Sequence, residues 1–341
     1  MLTKEYLIDV PVKINIWTRP EFQKIQFEIL RQARPSILFI QSDGGRNIEE
    51  WKNIYENRKI FDEGIDWNCK VYKIYEDRNN GLYTMAKKAS NIIWNNVDRC
   101  IFLEDDLIPT VNFFKFCSEL LEKYKNDTRI ECICGFNTLG TWEKASSDYF
   151  FSRQGSTWGI ATWKRVTDEY RDFSYIDDNY IMELLKQRTK HNISAWKRLN
   201  AYANQEIYDG HRAGSEFYHE FFMYSQYRLQ IIPRRNMISN IGIGKTAQHA
   251  DYLDQLPKGI RCLFNSKTFE LEFPIRHPKY IIPDVEYENR RNRILAYNYP
   301  IIQLYRNIER FIYKLKNGEI SYIINKIKNR YNAKHGKILD K

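Results

Sequence analysis

The sequence predicts an α/β protein built on a doubly wound, mostly parallel, Rossmann-like sheet, with a less regular second half and a C-terminal helical tail. Three observations carry this prediction. Short runs rich in Val, Ile, Phe and Tyr alternate with stretches of helical length. The early runs end in loops of Gly, Asp and Asn. The run Arg99-Cys100-Ile101-Phe102-Leu103 ends in three adjacent acids, Glu104-Asp105-Asp106, as a buried strand seldom does.

Val12 to Trp17 reads as the first strand, and Thr18-Arg19-Pro20 opens a helix over 20–33 with Pro at its first turn. Ser36 to Gln41 is the second strand. It ends in Ser42-Asp43-Gly44-Gly45, where two glycines permit close backbone approach to a ligand. Lys70 to Tyr75 is the third strand, Gly81 to Asn95 a helix, and Cys100 to Leu103 the fourth strand. Leu107-Ile108-Pro109 reads as loop, and Phe113, Phe114 and Phe116 open a helix over Val111 to Lys125. Ile130 to Gly135 continues the sheet. The pattern then loosens: Tyr149-Phe150-Phe151, the segment Trp158 to Trp163, polar helices around 177–206, a helix over 215–228, and a short strand Leu229 to Ile232. Ser239 to Gly244 places two glycines in a loop able to move.

Composition narrows the function. A chain of 341 residues with 43% apolar content buries a core large enough for one α/β domain and an appendage. It contains no 18-residue apolar run, and Met1 to Asp9 carries Lys4, Glu5 and Asp9 where a signal peptide needs apolar residues. A cytoplasmic protein is expected. Six scattered cysteines, of which only Cys132 and Cys134 are close, read as free thiols and not as a zinc pattern. The net charge of +10 is concentrated at one end, where residues 286–341 hold thirteen Lys and Arg against five Asp and Glu. There Ile301, Leu304, Ile308, Phe311, Ile312 and Leu315 recur at helical spacing among Lys314, Lys316, Lys326, Lys328 and Arg330. Such a helix either lies on an anionic membrane surface or packs on the body with a solvated basic face.

In an open α/β sheet, ligands bind at the carboxyl ends of the strands, which gathers Arg19, Asp43 and Asp106. Clustered carboxylates suit a hard divalent cation, Mg2+ or Mn2+, which commonly arrives with a substrate's phosphates. The plainer reading is an acidic helix start that complements the helix dipole.

These residues occur in an order that resembles a GT-A glycosyltransferase, similar to the N-acetylglucosaminyltransferase I group and bacterial nucleotide-diphospho-sugar transferases. The resemblance covers roughly residues 10–250. It runs through Arg19-Pro20, Ser42-Asp43-Gly44, Asn80-Gly81, Leu103-Glu104-Asp105-Asp106 with Phe113-Phe114, Trp158-Gly159-Ile160-Ala161-Thr162-Trp163, and Ser239 to Gly244 ending in Gln248-His249. It implies a GT-A type sheet in which residues 1–138 bind a nucleotide-sugar, 139–285 form the acceptor-side and catalytic half, and 286–341 are the basic tail. The activity implied is metal-dependent transfer of a hexosyl or N-acetylhexosaminyl group, with inversion, from a nucleotide diphosphate donor that is UDP-linked. The acceptor is a hydroxyl of a glycan or lipid-linked saccharide; a lipid-linked acceptor at the inner face of the cytoplasmic membrane would explain the basic tail.

By the same resemblance, Arg19 and Asp43 hold the nucleoside, and Glu104-Asp105-Asp106 stand for the D-x-D motif. Asp106 is then the metal ligand, for Mn2+ or Mg2+, while Glu104, Asp105, Trp158, Gly159 and His249 serve the donor. For Arg19 and Asp43 an ordinary ion pair and an N-cap remain as readings. Trp158 and Trp163 fit a sugar platform or a core equally well. His249 reaches the metal or a phosphate, or is a hydrogen-bonded histidine. The family's Trp-Asp pair, counted back from Pro233, falls on Ser215-Glu216, a departure at both positions. Glu216 is the first candidate base, Glu220 the second, with His219 and Asp209 behind them.

Three other classes fit less well. Gly244-Lys245-Thr246 ends like a phosphate-binding P-loop, but the first glycine of that motif falls on Ser239. A nucleotidyltransferase of similar fold lacks a use for the Trp-Gly and Asn-Ile-Gly segments. A non-enzymatic nucleic-acid binder is disfavoured by charge confined to one end, so no nucleic acid is expected.

Overall fold

The computed structural model describes residues 4–171, 177–190, 192–203, 215–243 and 253–316. They fall into two compact units, Met1–Gly242 with Leu263–Arg291, and Ile243–Cys262 with Asn292–Lys341.

The first unit opens with β1 (Ile8–Asn15), α1 (Pro20–Ala33), β2 (Pro35–Ser42), α2 (Ile48–Gly64) and β3 (Lys70–Tyr75). Next come α3 (Leu82–Asn96), β4 (Arg99–Leu103), β5 (Leu107–Pro109), α4 (Val111–Lys123) and β6 (Ile130–Cys134). The chain continues through β7 (Tyr149–Ser152), β8 (Ile160–Trp163) and α5 (Lys164–Thr167), then α6 (Asn179–Arg188), α7 (Ile193–Ala203) and α8 (Ser215–Ser225). β9 (Leu229–Pro233) and β10 (Ile238–Asn240) follow; α9 (Lys258–Arg261) belongs to the second unit, α10 (Val285–Leu295) runs from the first into the second, and α11 (Pro300–Lys316) ends the described chain.

Eight strands form one sheet in the order β3-β2-β1-β4-β8-β6-β9-β7. β1 to β4 are mutually parallel, and β6 and β9 run with them; β8 lies antiparallel between β4 and β6, and β7 antiparallel to β9. The α/β class and the mostly parallel sheet are therefore as expected. The insertion of β8 is not: Ile130 to Gly135 does not pair with the fourth strand directly.

Alternation along the strands explains the two helical layers. Leu38 and Ile40 of β2 pack with Phe27, Leu30, Phe61, Phe113 and Leu120, whereas Phe39 between them packs with Met85, Ala89, Ile93 and Trp94. α1, α2 and α4 thus cover one face and α3 the other. β1 sends Val10, Val12 and Ile14 to the first face, and Ile16 just beyond it joins them.

Other elements were not expected either. α2 fills the stretch between the second and third strands, its start capped by Asn47, which accepts from the Glu50 N–H at 2.9 Å. It buries two polar residues, Asn57 and Arg58, beside Ile54 and Phe61, which blurs its apolar stripe. Leu107-Ile108-Pro109 is not loop but β5, paired antiparallel with β10 so that Asn240 stands opposite Leu107. All six cysteines are free thiols, with Cys100, Cys117, Cys132 and Cys134 buried.

Candidate active site

The order β3-β2-β1-β4 places a topological switch point between β1 and β4, the crevice where open α/β sheets bind ligands. The chain leaves β1 through Trp17 and Arg19 and leaves β4 through Glu104, Asp105 and Asp106, so the predicted acids lie at the switch point.

α1 holds the acidic turn. Its first turn carries Pro20, and Arg19 at the N-cap makes no side-chain cap, which leaves the guanidinium for other work. Arg19 Nε lies 3.1 Å from Asp105 Oδ2 and Nη1 3.5 Å from Asp106 Oδ2. Gln23 donates from Nε2 to the Asp105 carbonyl at 3.0 Å, and Gln26 donates to the carbonyls of Glu104 and Leu107, each at 2.8 Å. Residues 19, 23 and 26 project from one helix face, so a single face grips four consecutive residues of the turn. Arg19 is therefore bound to the acids.

The two aspartates differ. Burial pushes the Asp105 carboxyl up to about 6, against the pull of Arg19 and helped by the neighbouring Asp106 charge. Asp106 Oδ1 is buried and has no hydrogen-bond partner among the described residues. A partnerless buried carboxylate oxygen is costly unless something cationic meets it. Backbone closes over the same group: the Ile241 N–H donates to the Asp106 carbonyl at 2.9 Å, and Gly242 N–H to Asn240 Oδ1 at 2.8 Å. A Cβ on Gly242 would overlap Asp106 Oδ2, so glycine is required for this approach.

The donor set fits a hard divalent cation of limited protein ligation. Among the described residues no group of three His, Cys, Asp or Glu side chains gathers as a metal cage. Asp106, with the exposed Glu104 beside it, offers the one or two carboxylates that Mg2+ or Mn2+ takes when phosphates and water complete its shell.

Asp43 lies on the adjoining strand edge, where its carboxylate accepts from the backbone N–H groups of Gly44, Asn80 and Gly81 at 2.9, 3.0 and 2.9 Å. It ties the loop after β2 to the loop that leads into α3, whose N-cap is Gly81 and carries no side-chain cap. Gly81 at φ 81° and Gly44, whose Cβ would collide with the Arg78 backbone, let the two loops meet. Trp17 donates to the Gly44 carbonyl at 3.3 Å, and Arg46 stacks 4.9 Å from its ring.

Trp158 is half-buried against Phe136 and Phe264, with ring centroids 4.9 and 5.2 Å away. Gly159 adopts φ 64°, and a Cβ there would strike Ile238 at the β10 side of the acidic turn. Trp163 is a core residue: it is buried, donates to the Leu121 carbonyl at 3.0 Å and stacks under Arg165. The platform reading of Trp163 is thereby overturned.

Glu220 on α8 is engaged by the Arg198 guanidinium, with Nε 2.8 Å from Oε2. The side chains of Glu216 and His219 and the whole of Asp209 and His249 lie outside the described residues.

Lys13 was missed. It is buried on the face of β1 opposite Val12 and Ile14, bonded to Asn15 Oδ1, and burial lowers its ammonium to about 8 although Glu104, Cys100 and Asp105 pull it upward. Its signal is a lone cation inside the apolar run Val12 to Trp17. Gln23 and Gln26 were missed as well; their signal is polar residues in phase with the apolar positions Phe27 and Leu30.

No protein-family model matches the chain, and no curated protein matches it. Solved structures do. A mannosyltransferase from Pyrobaculum calidifontis in complex with GDP-Man and Mn2+ is 9% identical, with TM-score 0.34 over 64% of this chain and 72% of that one. A UDP-glucose pyrophosphorylase complexed with UDP-glucose is 7% identical, with TM-score 0.33 over 67% of this chain and 92% of that one. Mouse xyloside xylosyltransferase 1 in its apo form is 12% identical, with TM-score 0.33 over 66% of this chain and 83% of that one. Likenesses this loose carry no argument about the chemistry of this chain.

Proposed function

We propose that the protein is a GT-A type glycosyltransferase that moves a hexosyl or N-acetylhexosaminyl group from a nucleotide diphosphate donor, UDP-linked, to a hydroxyl of a glycan or lipid-linked saccharide. The observation that carries this reading is Asp106 Oδ1, buried and without a partner among the described residues at the switch-point crevice, with the Gly242 backbone pressed on the same carboxylate.

Asp106, with Glu104 beside it, would hold Mn2+ or Mg2+, which when bound neutralises charge on a departing diphosphate. The acceptor oxygen forms a bond to the anomeric carbon, and the bond from that carbon to the diphosphate oxygen breaks with its electron pair going to the diphosphate. The acceptor proton passes to a carboxylate, for which Glu216 is the first candidate and Glu220, already held by Arg198, the second. Attack from the face opposite the leaving group inverts the anomeric centre. Arg19 fixes Asp105 and keeps the acidic turn in shape. Asp43 sets the loop edge beside which the nucleoside lies and Trp158 and Gly159 line the sugar side; His249, outside the described residues, is the candidate histidine for the diphosphate.

A panel of sugar nucleotides tested by thermal shift with Mn2+ identifies the donor, because a ligand that binds only the folded state raises Tm. One nucleotide-sugar is expected to stabilise the protein, to be slowly hydrolysed, and to lose both effects in Asp106→Asn. If no sugar nucleotide shifts Tm, or if Asp106→Asn responds like wild type, the assignment fails.

A further inference from the structure

In the second unit, α11 is turned the wrong way round for a soluble helix. Its inward side is polar: Arg306 is only 8% exposed, donates to the Ile294 carbonyl, and lies against Gly259. Ile302, Glu309 and Tyr313 share that side and are half-buried. The apolar side points outward, with Ile301, Leu304, Tyr305, Ile308, Phe311 and Leu315 all between 44% and 82% exposed. Their spacing forms one continuous stripe along four turns. An exposed stripe of this length needs a partner.

We propose that this stripe inserts into the interface of an anionic membrane, with α11 lying in the plane of the surface. Charge complementarity selects that occupant. From Arg310 to the end of the chain, nine Lys and Arg stand against two Asp and Glu, among them Lys314, Lys316, Lys326, Lys328 and Arg330. An anionic headgroup layer neutralises these charges while the apolar stripe enters the acyl boundary. A second copy of the helix would instead bring like charges together. Among the described residues no helix is long and apolar enough to cross a membrane, so the helix lies on the surface and does not span it. The inference is independent of sugar transfer, because lipid binding is measured without donor or acceptor.

The test is co-sedimentation of the full chain with vesicles of phosphatidylcholine alone or mixed with phosphatidylglycerol. Wild type is expected to pellet with the anionic vesicles and to be released by high salt. Leu304→Glu with Phe311→Glu, both on the exposed side, is expected to lower vesicle binding by on the order of tenfold or more, with an unchanged thermal melt. The proposal is overturned if wild type ignores anionic vesicles, if the double variant binds them equally well, or if sedimentation velocity without lipid shows a dimer that the same substitutions dissociate.

Discussion

Arg19 Nε stands 3.1 Å from Asp105 Oδ2, and this pair divides the labour of the acidic turn. Asp105 is committed to a resident cation of the protein itself. Asp106, touched by the same guanidinium only at 3.5 Å, keeps one buried oxygen without a partner among the described residues. The turn thus holds one carboxylate paired within the protein and one with a free edge, as the proposed metal site requires.

The first prediction concerns that pair. Both side chains are largely buried, so Arg19→Ala leaves the Asp105 charge uncompensated and is expected to cost about 3 kcal/mol at neutral pH. Adding Asp105→Asn removes the stranded charge and is expected to recover most of the loss. Urea melts of the wild type, both single variants and the double variant measure the coupling; simply additive losses would show that the two groups act independently.

Gly242 gives the second. Its missing side chain is what lets the chain after β10 rest on Asp106, so Gly242→Ala must push the carboxylate or the loop aside. The stability cost should be about 1 to 2 kcal/mol, within the range for local overpacking. Metal binding should suffer more. Electron paramagnetic resonance titration with Mn2+ is expected to show at least tenfold weaker binding in the variant, and equal affinity would mean that the loop is not part of the site.

Much of the fold was legible beforehand, and the residues say why. The strands β1 to β4 are apolar runs whose alternate positions enter opposite layers, and three adjacent acids after such a run are rare enough to mark a site. α2 was not legible because Asn57 and Arg58 occupy its buried face, so no clean helical period reaches the eye. β8 was hidden because four residues are too few to reveal an antiparallel strand between two parallel ones. The direction of the α11 stripe was undecidable from periodicity alone, which fixes that a stripe exists but not which way it faces. Arg306, buried in the second unit, turned it outward.

Gln26 supplies the third prediction. It is fully buried and donates to two carbonyls of the acidic turn, those of Glu104 and Leu107. Gln26→Leu keeps the volume but strands both acceptors, which should cost about 2 kcal/mol. Gln26→Glu cannot donate and adds a buried negative charge beside the acids, so it should be worse. Chemical denaturation of the two variants checks the order, and a Leu variant as stable as wild type would mean that those carbonyls find other donors.

Lys13 makes stability depend on alkaline pH. Its ammonium titrates near 8 in the folded protein against 10.5 when unfolded, chiefly through burial. Between those values the unfolded chain holds the proton that the native state has released, so unfolding free energy rises with pH across that window. The contribution is fully present above 10.5 and is lost as pH falls through about 8. Lys13→Met removes the desolvated charge, and should therefore be more stable than wild type at pH 7 by at most about 3 kcal/mol, the equivalent of the shift at 1.36 kcal/mol per pH unit. The advantage should shrink steadily as pH climbs past 8. Urea melts of both proteins across this range measure the difference, in which the titration of shared tyrosines and cysteines cancels. A gap that stays constant with pH would show that Lys13 keeps its proton in the fold, and that Glu104 and Asp105 hold it charged more strongly than burial discharges it.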